Sequence, residues 1–137
     1  MTASNLAARW SAAAPRLLAA LRIVAAFIFT MAGTMKLFAF PAGVPPHGGA
    51  VPLWSEYWIA GVLETVGGPL LMVGLFTRPV AFVLAGEMAV AYFQYSFPVS
   101  VWPMLNNGVP AALFCFIWLY LSAAGPGAWS LDGRRAR

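Results

Sequence analysis

Four ionisable residues stand inside apolar sequence: Arg22, Lys36, Glu64 and Glu87. Glu64 lies near the middle of an apolar run from about Pro52 to Phe76. On a helix it shares one face with Gly61, Gly68 and Leu71, because steps of three and four coincide. Apart from the carboxylate, that face is nearly bare of side chains. Glu87 is close to the middle of a later run, beside Gly86, with Gln94 two turns on along the same face. Arg22 and Lys36 are fourteen residues apart, close to four turns, and project from nearly the same side of the first run.

An ionisable group deep in hydrocarbon costs at least ~2–3 kcal/mol unless it has a partner. The four formal charges sum to zero, so a paired network is the expected arrangement. By depth, Arg22 and Glu87 differ by only a few ångström and form the easiest pair. Lys36 and Glu64 differ by about 10 Å, which two extended side chains could nearly bridge. The alternatives are an Arg22 that bridges both carboxylates, a Glu64 that stays protonated, or cations that snorkel to the surface. Such a network can carry protons, or it can do no more than fix helix register.

The elements that must position these groups are membrane spans. Of 137 residues, 61% are hydrophobic and only 9% charged. A soluble domain carries about a quarter charged residues. Spans are expected at about residues 15–40, 53–76, 79–97 and 105–124. Pro15 opens the first and Pro41 stops it. Residues 1–14 read as a short interfacial helix or as a disordered segment. Thr77-Arg78-Pro79 is short enough to make spans two and three an antiparallel hairpin. Pro69 is expected to kink the helix near Glu64. Only helices or closed barrels satisfy the backbone in lipid, and these runs are too long for barrel strands. The fold expected is all-α: one integral membrane domain, a four-helix bundle over residues 1–137.

Arg9, Arg16, Arg78, Arg134, Arg135 and Arg137 all fall on one side of these spans, and the loops at 41–52 and 98–106 hold no Lys or Arg. Both termini are therefore expected in the cytoplasm. The basic tail reads as an anchor on an anionic leaflet rather than a nucleic-acid site. Trp54, Tyr57, Trp58 and Trp102 then gather on the outer side, with Glu56 in the same wet layer. A single cysteine, Cys115, excludes an internal disulfide relay, and a single histidine, His47, excludes a bis-histidine haem site within one chain. No metal-ligand set is present in the sequence.

Several stretches resemble the DoxX family of bacterial four-span membrane proteins. They are the first-span arginine followed by Gly33-Thr34-Met35-Lys36-Leu37-Phe38, then Glu64 with the run from Gly67 to Arg78, Glu87, Asn106-Asn107-Gly108, and the segment from Gly125 to Asp132. Many family members carry a carboxylate just after the Asn-Gly step, where this chain has Val109-Pro110. The resemblance implies an inner-membrane protein and a subunit of a membrane oxidoreductase, with electrons passing through a quinone or a partner protein. A quinone site needs an apolar slot, aromatics for the ring and polar groups at its carbonyls. Proton-coupled chemistry would use Glu64 or Glu87, with Arg22 and Lys36. Trp54, Tyr57, Trp58, Gln94, Trp102 and Asn107 are the candidate ring contacts. The rival expectations are a non-catalytic anchor or assembly subunit, and a small proton-coupled transporter. Expected partners are the bilayer and further subunits or a second copy of the chain.

Overall fold

A computed structural model describes residues 2–136, the Ala3 side chain excepted. Arg137, used above for orientation, lies outside them. The structure is all-helical: α1 (Ala3–Phe38), α2 (Glu56–Val73), α3 (Thr77–Ala91) running into a π-helical turn (Tyr92–Ser96), α4 (Val109–Ala124) and a short α5 (Leu131–Arg135).

The first helix is longer than the expected span. It starts at Ala3, and Pro15 lies inside it. The segment before Pro15 is rich in alanine and contains no other breaker, so helix propensity carries it. Proline removes only one hydrogen bond there, at an exposed position. At 36 residues α1 is long and apolar enough to cross a bilayer. It stops at Ala39, which adopts a left-handed conformation and donates its N–H to Met35.

The next boundaries are set by local caps. Ser55 accepts a hydrogen bond from Trp58 N at 3.1 Å, so α2 starts at Glu56 rather than near Leu53. It ends at Gly74, whose φ of 69° suits a residue without a Cβ. The helix continues through Pro69. Three residues, 74–76, then turn the chain into α3, with Pro79 in its first turn. The fourth helix starts at Val109 rather than at 105, because Asn106 ties the preceding loop. Its side chain donates to Ser100 O at 2.8 Å and accepts from Gly108 N at 2.7 Å.

The first helix packs chiefly on α2 and α3 chiefly on α4, while α2 and α3 meet more sparsely. Two glycines explain how closely α1 and α2 approach. A Cβ at Gly33 would lie 2.9 Å from that of Glu64, and a Cβ at Gly61 would lie 3.0 Å from that of Lys36. A ring cluster joins α1 to α4, with Phe29 5.3 Å from Trp118 and Phe114 5.7 Å from Trp118. Leu71, Ala81, Leu84 and Leu121 complete this core.

Polarity is distributed unlike that of a soluble protein. Arg22, Glu64 and Thr77 are buried, whereas Leu17, Val24, Phe27, Phe82, Leu113 and Phe116 face outward. An apolar exterior around buried charge is the distribution that hydrocarbon solvent favours.

Candidate functional site

Lys36 and Glu64 form the centre of the site. Lys36 Nζ donates to both carboxylate oxygens, at 2.6 Å to Oε1 and 2.5 Å to Oε2. The Glu64 side chain is 2% exposed and that of Lys36 19%. This contact requires the glycine-permitted approach of α1 to α2, which brings the last turn of α1 beside the middle of α2. Lys36 also lies where a cation complements the helix dipole. The depth difference estimated from the sequence is thus bridged by the long lysine side chain.

Arg22 behaves otherwise, and the expected Arg22–Glu87 pair does not form. Its guanidinium is fully buried and donates to backbone carbonyls of the segment after α4: Pro126 O, Ala128 O at 3.3 Å and Trp129 O at 2.8 Å. That segment folds back over α1 at Pro15 and over the turn between α2 and α3. Ala128 N donates to Pro15 O and Asp132 N to Gly74 O, each at 2.9 Å. Asp132 accepts from Phe76 N at 2.9 Å and Thr77 N at 2.8 Å, capping α3. Burial pushes the Asp132 carboxyl up, but the hydrogen bonds from Thr77 and Phe76, with Arg135 nearby, outweigh that and hold it below the usual carboxylate range. Arg78 Nη1 donates to Ser122 O at 3.1 Å and to Ala123 O, closing the end of α4. Three charged residues thus join the helix ends into a clasp.

At the other end, a cavity of about 420 Å3 opens between α2 and α3 and reaches Lys36 on α1. Lys36, Glu64 and Glu87 all line it, among apolar residues that include Leu63, Val83 and Met88. Both Glu87 oxygens are buried, and neither has a hydrogen-bond partner among the described residues. The remaining polar lining lies at the cavity's far end. Gln94 Nε2 donates to Glu56 Oε2 at 2.7 Å, and the Tyr95 hydroxyl donates to the same oxygen. The Tyr57 and Tyr95 rings lie 4.9 Å apart beside them.

Of the residues expected to contact a ring, Tyr57 and Gln94 line this cavity. Trp54, Trp58, Trp102 and Asn107 do not. The Trp54 ring lies tilted against that of Trp58, 4.8 Å between centroids, and Trp54 is 79% exposed; Trp102 and Asn107 are also exposed. The buried asparagine is the neighbouring Asn106, which serves its own loop. Glu56 and Tyr95 were not expected at the site. Glu56 had been assigned to the aqueous interface, but the π-helical turn at 92–96 aims Gln94 and Tyr95 at it. Inserted π turns re-aim side chains and have no residue signature that spacing would reveal.

The DoxX family model matches residues 17–96 of the chain. An uncharacterized protein of Haemophilus influenzae is 42% identical over 125 residues, covering 88% of this chain and 91% of that protein. The inner membrane protein YphA of Escherichia coli is 30% identical over 141 residues, covering 91% of this chain and 94% of its own length. No solved structure matches the chain.

Proposed function

The chain belongs to the DoxX family, and from that premise we propose that this membrane protein is a quinone-interacting subunit of an inner-membrane oxidoreductase. In this reading α1 to α4 cross the bilayer as a four-span bundle with both termini in the cytoplasm. The clasp of Arg22, Arg78 and Asp132 then lies at the cytoplasmic end and the mouth formed by Glu56, Gln94 and Tyr95 at the outer end. The arginines at positions 9, 16, 78, 134 and 135 support that orientation.

The observation that carries the reading is the Glu87 carboxyl group, buried in the wall of an apolar cavity with no partner for either oxygen among the described residues. Stability alone gives no reason to keep an acid there, since leaving a buried polar group unpaired costs about 1–3 kcal/mol. A ligand with its own carbonyl or hydroxyl oxygens would satisfy it. The residues present fit a quinone ring: Ile59, Leu63 and Val83 supply the apolar walls, and Tyr57 an aromatic edge. Lys36 and Glu87 can meet ring oxygens.

A bound quinone would supply two-electron, two-proton redox chemistry. The chain contributes position and protons. Facing the cavity from an apolar wall, the Glu87 carboxyl group can give a proton to a ring oxygen or take one back. Lys36, neutralised by Glu64, presents a fixed positive end without adding net charge to the cavity. Glu56, hydrogen-bonded to Gln94 and Tyr95 at the exposed end, can exchange protons with water. Electrons would come from a partner subunit.

The test is quinone titration into the purified protein, alone and with the products of its neighbouring genes. Saturable binding, and quinone reduction that Glu87→Gln slows at least tenfold, is the expected result. No saturable binding in either preparation would sink the proposal and leave an anchoring or assembly subunit. The closed Lys36–Glu64 pair favours that second reading, because a satisfied ion pair can lock α1 against α2 without doing chemistry.

A further inference from the structure

We propose that the seam between α2 and α3 holds a single-tailed amphiphile, its head at Lys36, Glu64 and Glu87 and its tail running toward Pro79. The nature of the head rests on the quinone reading; the path of the tail stands on separate observations. A second cavity of about 340 Å3 lies along the same two helices. Leu63 and Val83 line both spaces, so the two adjoin as one groove.

The groove is polar at one end only. All its ionisable lining belongs to the first cavity, while the second is lined by aliphatic residues with Gly67 and Pro79. Such one-sided polarity suits a ligand with a compact polar head and an apolar tail. On α2 the groove extends from Glu56 to Leu70, about 21 Å at the helical rise. The π-helical turn and the antiparallel α3 follow it from Tyr95 back to Pro79.

Its size selects the occupant. A ~10 Å length of helix, about 10–12 Å across, would fill on the order of 1,000 Å3, well above the second cavity's volume of about 340 Å3. One hydrocarbon chain fits this space and a helix from a second copy does not. The sparse contact between α2 and α3 keeps the seam open, and Gly67, where a Cβ would meet Leu84 at 2.9 Å, sets its floor.

The experiment compares two probes with the same dimethoxy-methyl-benzoquinone ring, one without a tail and one with a decyl tail, on the full-length protein in nanodiscs. Val66 lines the tail end and is already 58% exposed, so Val66→Trp plugs the groove without entering the core. The expected result is that Val66→Trp weakens the decyl probe at least tenfold and leaves the tailless probe unchanged. Val80→Phe, on the opposite wall, should act the same way and guards against a misfolded first variant. Unchanged decyl affinity in both variants, or equal loss for both probes, overturns the tail path while the quinone reading stands. Wild-type protein that binds neither probe overturns the quinone reading and the proposal with it.

Discussion

Arg22 and Lys36 lie about 21 Å apart along the same helix and meet opposite kinds of surroundings. At the Arg22 end, each charged side chain of the clasp is turned toward backbone. Arg22 donates to carbonyls left free after α4, Arg78 to those left free in its last turn, and Asp132 accepts from N–H groups left free at the start of α3. These groups do what helix ends require in any solvent, and more urgently in one without water. At the Lys36 end, the charged groups meet other side chains across a cavity, and one carboxyl group has no hydrogen-bond partner among the described residues. The difference separates architecture from chemistry. A polar group matched to backbone holds the chain, whereas one left facing an apolar space is available to a ligand.

The largest test of this contrast is Lys36→Met, which strands Glu64 in a buried, unpaired state. Breaking a buried pair costs about 3–5 kcal/mol, and thermal unfolding should record a loss of that order. The double variant Lys36→Met/Glu64→Gln should recover most of it. In the clasp, Arg22→Met removes charged hydrogen bonds to three carbonyls and should cost about 1.5–3 kcal/mol, with quinone affinity unchanged in the protein that remains folded.

Asp132→Asn weakens one helix cap and should cost about 1 kcal/mol. Its pH dependence has a definite sign. The folded carboxyl lies below its unfolded value, so its contribution is complete above about pH 4 and is lost as pH falls through the folded value. Unfolding followed from pH 7 to 3 should therefore show wild type losing its advantage over Asp132→Asn at the acid end. The smallest effect is expected at the mouth. Tyr95→Phe removes one of two donors to Glu56 at an exposed site and should cost about 0.5 kcal/mol, while slowing any proton exchange through that end.

The two regions also differed in how far the sequence revealed them. Lys36 and Glu64 stood out because both break apolar runs, but a depth difference of about 10 Å left their pairing as one alternative among several. Glu87 and Gln94 could be placed on one face because seven residues make two turns. The clasp was hidden for a physical reason: Arg22 takes backbone carbonyls, and every residue has one. Similar depth along the spans therefore directed it to Glu87 instead. The role of Glu56 was hidden by its aromatic neighbours, which read as an interface belt, and by a π turn without a sequence signature. The extent of α1 was missed because Pro15 suits a helix start but is also tolerated within an exposed first half.

The central claim is that Glu87 is kept for a ligand and against stability. Thermal unfolding of Glu87→Leu in nanodiscs, read beside its affinity for the tailless benzoquinone probe, tests it most directly. The account predicts stability raised by about 1 kcal/mol or more, because an unpaired buried carboxyl group is removed, and probe affinity reduced at least tenfold. A variant that unfolds at lower temperature and binds the probe as well as wild type would contradict it, and would make Glu87 part of the packing.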